Sequence, residues 1–419
     1  MRNGSAGGGV VSRARRTMRR SAWRGLGALV AAQGVIAGAL MIVAWLRRRR
    51  QPHGFPHPTF PPVAVGDGTV QLYSYGRDLY DAMLAAIDAA QESIYLETFI
   101  WKGDAVGQAF KEHLTRKAAA GVAVYVIFDR FANLVVPAAF KEFPPAIQTL
   151  AYQGFRRPGQ LLDPRRYALE HRKVLVVDGR VGFLGGYNLG SLYATQWRDT
   201  HLRLEGPTVA HLAAAFADFW RAHGIPDAPV PRRYPRTFDP LLVLHDNDAM
   251  QLTFPIRDMY ISAIDRAERY IRLTNAYFIP DRALRRALKA AARRGVDVQV
   301  LLPEVSNHTL ADWMARGHFA ELLEGGIRIF GYRTMLHAKT CTIDGQWSTI
   351  GTANLDRLSS VGNYEINVEI YSRALAGQME RLFESDTVNA REVTRTAWQT
   401  RPWSAKVSER VLAPLGVFM

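Results

Sequence analysis

Cysteine is almost missing from this 419-residue chain: Cys341 stands alone, which excludes any intramolecular disulfide. Lysine is nearly as scarce, with 8 Lys against 45 Arg, so a lysine recurring at a fixed place has a chemical reason to be lysine. Acid is absent from residues 1–50, which hold eleven Arg. The formal +15 therefore belongs mostly to a basic tail. Beyond residue 50 the balance is 42 basic to 38 acidic residues, or +4. A body so close to neutral argues against a nucleic-acid reading, which wants a basic face on the folded domain, and no nucleic-acid partner is expected.

One apolar run is long. Gly25–Leu46 is 22 residues without a charge, bracketed by Arg24 and Arg47. At about 1.5 Å per residue it crosses about 30 Å of hydrocarbon. A cleaved signal peptide has a shorter apolar core of roughly 7–15 residues and ends at small residues; this run ends at Arg47–Arg50. The expectation is a basic tail over 1–24, a retained single-pass transmembrane helix over 25–46 and a basic, proline-rich spacer over 47–65 that stands the body off a cell membrane. Arginines crowd both flanks, so the charge rule leaves the side of the membrane facing the body undecided.

The body reads twice. Arg77-Asp78-Leu79-Tyr80 recurs as Arg257-Asp258-Met259-Tyr260, each opening a helical pattern. Strand-like runs follow at Ser93–Ile100 and Tyr270–Ile279, and again at Val122–Phe128 and Val296–Leu302, each of the latter led by a glycine, Gly121 or Gly295, that stops a helix. Alternating strands and helices imply an α/β fold in each half. The halves are expected over 66–223 and 243–389, joined by a proline-rich linker over 224–242 and followed by a tail over 390–419. The inserts 130–170 and 304–336 differ between halves and are candidate walls for a substrate.

The repeated unit carries the chemistry. His171-x-Lys173-x4-Asp178 recurs as His337-x-Lys339-x4-Asp344. An asparagine follows each histidine by 17 residues (Asn188, Asn354) and an acid by 28 (Asp199, Glu365). On a strand, residues two apart share a face, so His and Lys point together. Asp-Gly then predicts a tight hairpin turn, a structural role for Asp178 and Asp344 that competes with a direct catalytic one. The inventory suits a phosphodiester. Lysine and asparagine hold phosphoryl oxygens, one imidazole attacks phosphorus, the other protonates the leaving alkoxide, and Asp199 and Glu365 orient the rings. No metal or other cofactor is required. Cys341 reads as a buried apolar-like thiol. Of the remaining histidines, which lack repeated spacing, His308 is the first choice for a site role.

These paired motifs resemble those of the phospholipase D superfamily, and the resemblance runs from about Val65 to about Asn389. Trp197–Gly206, Leu322–Phe330 and Ser348–Asp356 are similar to stretches of bacterial cardiolipin synthases. The resemblance implies two duplicated phospholipase D-like α/β halves forming one shared central site. It further implies a covalent phosphohistidine, with His171, Lys173, Asp178, His337, Lys339 and Asp344 as catalytic motif residues. Asn188, Asn354 and Asp356 would bind substrate, and Asp199 and Glu365 would brace the histidines. Gly190 occupies the place of Asp356 in the first half but has no side chain. The implied activity is a membrane-anchored phosphatidyltransferase acting on a phospholipid such as phosphatidylglycerol, with no obligatory protein partner. A phospholipase D releasing phosphatidic acid, or a membrane-anchored nuclease, is the alternative.

Overall fold

A computed structural model describes residues 23, 31, 33–49, 54–155, 158–224, 229–232, 234–235 and 238–412. Each half builds an eight-stranded sheet. The first contains β1 (Val63–Val65), β2 (Gly68–Tyr73), β3 (Ser93–Thr98), β4 (Ala123–Asp129), β5 (Ile147–Tyr152), β6 (Val174–Val177), β7 (Val181–Gly185) and β8 (His201–Glu205), in the order β1-β2-β8-β7-β6-β3-β4-β5. The second contains β9 (Leu242–Asn247), β10 (Tyr270–Asn275), β11 (Asp297–Pro303), β12 (Arg328–Tyr332), β13 (Lys339–Ile343), β14 (Trp347–Gly351), β15 (Glu365–Tyr371) and β16 (Ala390–Glu392), in the order β16-β12-β11-β10-β13-β14-β15-β9. Seven strands correspond one to one. The eighth differs: β1, drawn from the end of the expected spacer, pairs with β2, whereas β16, drawn from the expected tail, pairs with β12 at the opposite edge.

The strands bearing the motifs lie in the middle of their sheets. Val174 and Val176 of β6 enter a core shared by the halves, where Tyr95 and Phe216 meet Ile366, Val368 and Met379. Leu175 and Val177 enter an outer core under the helices Gly76–Ala89 and Ala105–Ala119. Both faces are buried, which is why these strands read as continuous apolar runs instead of alternating ones. Each such side chain contributes roughly 1.5–3 kcal/mol by leaving water. The helix Thr208–His223 lies on the first sheet and reaches β9 of the second, tying the halves into one body.

Both Asp-Gly turns form. Asp178 and Gly179 sit at φ of 52° and 63°, Asp344 and Gly345 at 55° and 70°, the positive pair that a two-residue hairpin needs. The Asp178 carboxylate accepts the backbone N–H groups of Gln91, Glu92 and Ser93, each at 2.8 Å. Asp344 does the same for Glu268, Arg269 and Tyr270 at 2.8–2.9 Å. Each turn thereby fixes the start of the neighbouring antiparallel strand, β3 or β10.

Of the expected membrane span 25–46, residues 25–30 and 32 lie outside the described residues; 33–48 are helical. Among the described residues no helix is long and apolar enough to cross a membrane. The end of this helix is docked on the second half, where Arg48 donates to the Ser306 carbonyl at 2.9 Å. The tail docks there too: Trp398 is buried in the second half's outer core, while Trp403 is exposed.

Candidate active site

His171 and His337 stand just ahead of β6 and β13, where each chain segment meets the other half. The His171 backbone N–H donates to the Tyr364 carbonyl at 3.1 Å, and that of His337 to the Arg198 carbonyl at 2.7 Å. Tyr364 and Arg198 each precede an acid. The acids are therefore delivered crosswise. His171 Nδ1 lies 2.9 Å from both carboxylate oxygens of Glu365, and His337 Nδ1 lies 2.6 Å from Asp199 Oδ2. Each half thus braces the other's imidazole. With Nδ1 held by a carboxylate, Nε2 is the nitrogen left for chemistry.

The site is buried and dominated by its charges. Lys173 Nζ donates to the His171 carbonyl at 2.5 Å, and Lys339 Nζ to the His337 carbonyl. Burial pulls Lys173 down to about 7 and Lys339 to about 8. Burial, reinforced by both ammonium groups, pulls His171 well below the ordinary imidazole range and His337 to about 3. The acids split. Burial pushes Glu365 up to about 7, only partly offset by Lys173 and the Thr352 hydroxyl. Burial would raise Asp199 as well, but His337 and Lys339 outweigh it and hold that carboxyl below its usual range. An anion placed among two lysines and two imidazoles stabilises the charged form of all four, which is the behaviour a phosphodiester site requires.

The two asparagines follow the same backbone turn after β7 and β14. Asn188 Oδ1 accepts the Ile100 N–H at 3.1 Å, which leaves N–H donors for a ligand. Asn354 is buried, and its Oδ1 has no partner among the described residues. Asp356 caps the helix Arg357–Val361 by accepting the Ser359 N–H at 2.7 Å, and burial raises it to about 7. Gly190 has a substitute. Asp104 sends Oδ2 to the Ser191 N–H at 2.7 Å, so a carboxylate from the loop before Ala105–Ala119 does in the first half what Asp356 does in the second. A side chain at Gly190 would meet Lys102 at 2.8 Å and Asp104 at 3.3 Å. Asp178 and Asp344 are not brought to the site. They lie seven residues from their histidines, roughly 23 Å along an extended chain, with their carboxylates committed to backbone N–H groups.

Several residues that sequence reasoning passed over complete the site. Thr352 donates its hydroxyl to Glu365 Oε2 at 2.6 Å. Its counterpart is Gly186, where an added Cβ would lie 2.1 Å from Asp199 Oδ1. The second half therefore gives its longer acid a hydroxyl, and the first gives its shorter acid room. Arg198 of the first half grips Asp386 of the second through two bonds of 2.7 and 3.0 Å, and also donates to the Asp199 carbonyl. Arg172, between His171 and Lys173, faces the other way and pairs with Glu97 at 2.7 Å and Glu170 at 3.0 Å. The Phe99 ring packs 4.6 Å from His171, and Trp197 5.3 Å from His337. His308 stacks edge-on to Tyr277, whose ring lies 6.1 Å from His337, so it flanks the site at one remove. Cys341 is buried in an outer core.

With this geometry the comparisons fit. The family description "Cardiolipin synthase, PLD-like domain" matches residues 83–220 and 260–387, one stretch in each half. Cardiolipin synthase A of Pseudomonas putida (strain GB-1) is 35% identical over 343 residues, covering 79% of this chain and 71% of the relative. The major cardiolipin synthase of Bacillus subtilis is 30% identical over 375 residues, covering 84% and 76%. In fold, a phosphatidylserine synthase from Haemophilus influenzae superposes with a TM-score of 0.63 at 13% identity, over 85% of this chain and 95% of that one.

Proposed function

The chain belongs to the cardiolipin synthase family of phospholipase D-like enzymes, and from that premise we propose a membrane-anchored phosphatidyltransferase that joins two phosphatidylglycerol molecules into cardiolipin and releases glycerol. The observation that carries this reading is the crossed bracing of His171 by Glu365 and His337 by Asp199, which makes one site out of two halves.

In the first step Nε2 of one histidine attacks phosphorus and an N–P bond forms. The P–O bond to the head-group glycerol breaks, and the second imidazole gives that alkoxide its proton. In the second step a head-group hydroxyl of another phosphatidylglycerol gives its proton to the second imidazole and attacks phosphorus. The N–P bond breaks and the first histidine is restored. Lys173, Lys339, Asn188 and Asn354 hold the non-bridging oxygens, whose charge grows in both transition states. The asymmetry of the acids supports His171 as nucleophile and His337 as acid. Asp199 keeps its charge close to His337 and favours an imidazolium there, whereas Glu365 is pushed towards neutrality and shares its oxygens with Thr352.

Anchoring rests on the uncharged run Gly25–Leu46, read as a single pass through the cell membrane. A site that takes both reactants from a bilayer gains from being tethered to it, because the tether raises their effective concentration. The test is product analysis of purified full-length protein with phosphatidylglycerol vesicles. Cardiolipin and glycerol in equal amounts are expected. Phosphatidic acid alone would make the enzyme a hydrolase, and no lipid product at all would end the phospholipid reading.

A further inference from the structure

The two inserts, alike in place, differ in what they leave open. At the ends of β11 and β12 the second insert folds as the helices Thr309–Arg316 and Phe319–Glu324. With Trp398 of the tail they close the space to a cavity of about 80 Å³. At the ends of β4 and β5, the corresponding place in the first half is a groove of about 480 Å³. Phe131, Leu134, Phe155, Tyr167, Leu169 and Leu358 line it.

Two further observations say what this groove takes. Its inner end adjoins the chemistry. Leu169 lies two residues before His171, and its carbonyl accepts the Tyr364 N–H at 3.0 Å beside the bond from the His171 N–H to the Tyr364 carbonyl. Its outer rim is apolar and open to the surroundings: Phe131 is 68% exposed and Leu134 63%, and Val135, next to Leu134 in the chain, 83%. A cluster of large apolar side chains held out at the mouth of a groove marks contact with something apolar.

We propose that this groove holds an acyl chain of the membrane phospholipid whose phosphate lies between His171 and His337. The inference rests on the phospholipid reading above and adds to it a place for the chain and a half of the molecule that supplies it. A phosphate fixed at the imidazoles leaves the glycerol backbone and its chains to run outwards. Among the described residues, the first insert, with Leu358 of the second half, supplies an apolar track starting at that point, and the plugged second insert does not.

The test uses full-length protein and phosphatidylglycerols of different chain length in one detergent micelle, so that bilayer docking plays no part. For Leu134→Asn and Leu358→Asn, singly and together, the ratio of kcat/KM for dioleoyl- over dihexanoyl-phosphatidylglycerol should fall at least tenfold in the double variant, through a raised KM for the long chains. Val388→Asn, exposed on the second half, serves as the control and keeps the ratio. A photoactivatable acyl chain on phosphatidylglycerol, bound to His171→Ala protein, should label peptides containing Leu134 or Leu358. An unchanged ratio, or label confined to other segments, overturns the groove. Weakened vesicle binding with an unchanged micellar ratio also overturns it, in favour of a bilayer-docking rim. A parent protein that turns over no phospholipid at any chain length defeats the functional reading instead.

Discussion

The two halves agree in their strand framework, hairpin turns and His–Lys pairs and differ in their edge strands, their inserts and the groups that hold the bracing acids. Seven strands, both hairpin turns and both His–Lys pairs repeat. The additions do not. β1 extends the first sheet beyond β2, β16 seals the second beyond β12, and the insert space at the ends of the parallel strands is open in one half and filled in the other. Even the bracing acids differ in length and charge. In-line displacement needs a group on each side of phosphorus, so duplication supplies the chemistry at once. A lipid has only one tail end, and that direction is written in the departures from symmetry.

The sharpest way to break the comparison is to remove one imidazole at a time. His171→Ala should abolish turnover of phosphatidylglycerol by at least about 10³-fold, and adding His337→Ala should cost little more, because the two act as a unit. His337→Ala alone should cost about 10²–10⁴-fold with a glycerol leaving group, the usual worth of a general acid. The halves separate when the leaving group is nitrophenolate, which departs without a proton. There kcat/KM for nitrophenolate release, which ends with the first step, should recover most of its loss in His337→Ala and should not in His171→Ala. Equal recovery in both variants would show that the two histidines exchange roles.

A smaller effect, read in stability, concerns the joint between the halves. Arg198 and Asp386 are almost fully buried and held by two bonds. Arg198→Met leaves an uncompensated carboxylate inside the protein and should lower unfolding free energy by about 3–5 kcal/mol. Arg198→Met with Asp386→Leu should restore much of it, since a packed apolar pair can stand in for a buried ion pair. Because Arg198 also holds the Asp199 backbone, kcat should fall in both variants while only the single one unfolds early. Equal stability loss in both would mean that packing, not charge, is what the pair supplies.

Much of this could be seen in the sequence, for identifiable reasons. The histidines, lysines and Asp-Gly turns announced themselves because covalent chemistry and tight turns tolerate few residue types, and because everything was said twice. The strands were legible since both faces are buried. The crossing of the acids was not: 28 residues from His171 to Asp199 is the same number as from His337 to Glu365, and spacing within a half carries no word about the other half. Asp104 was hidden for a similar reason. It replaces a side chain missing at Gly190, but it comes from 86 residues away through a helix cap. Gly186 against Thr352 was visible as a mismatch between the copies, and only contact with Asp199 and Glu365 gives it meaning.

That mismatch yields the mildest and most diagnostic test. In the free enzyme Lys173, held to about 7, and Lys339, to about 8, lose their charge as pH rises, so phosphate binding weakens on the alkaline side. Glu365, raised to about 7, loses its charge as pH falls, so the brace on His171 weakens on the acid side. Since kcat/KM reports the free enzyme's essential groups, its profile with a nitrophenyl phospholipid, whose leaving group needs no proton from His337, should be a narrow bell centred near pH 7. The Thr352 hydroxyl donates to the Glu365 carboxylate and favours its charged form. A bond of that kind to a charged group is worth about 1.5–3 kcal/mol. Thr352→Val should therefore raise Glu365 further, move the acid limb towards higher pH and lower kcat/KM at pH 6 about tenfold, while the alkaline limb, set by the lysines, stays in place. The first half offers no equivalent change, because Asp199 fills the space that any side chain at Gly186 would need. A uniform drop across the whole profile would assign Thr352 to packing alone, and the electrostatic difference between the halves would lose its support.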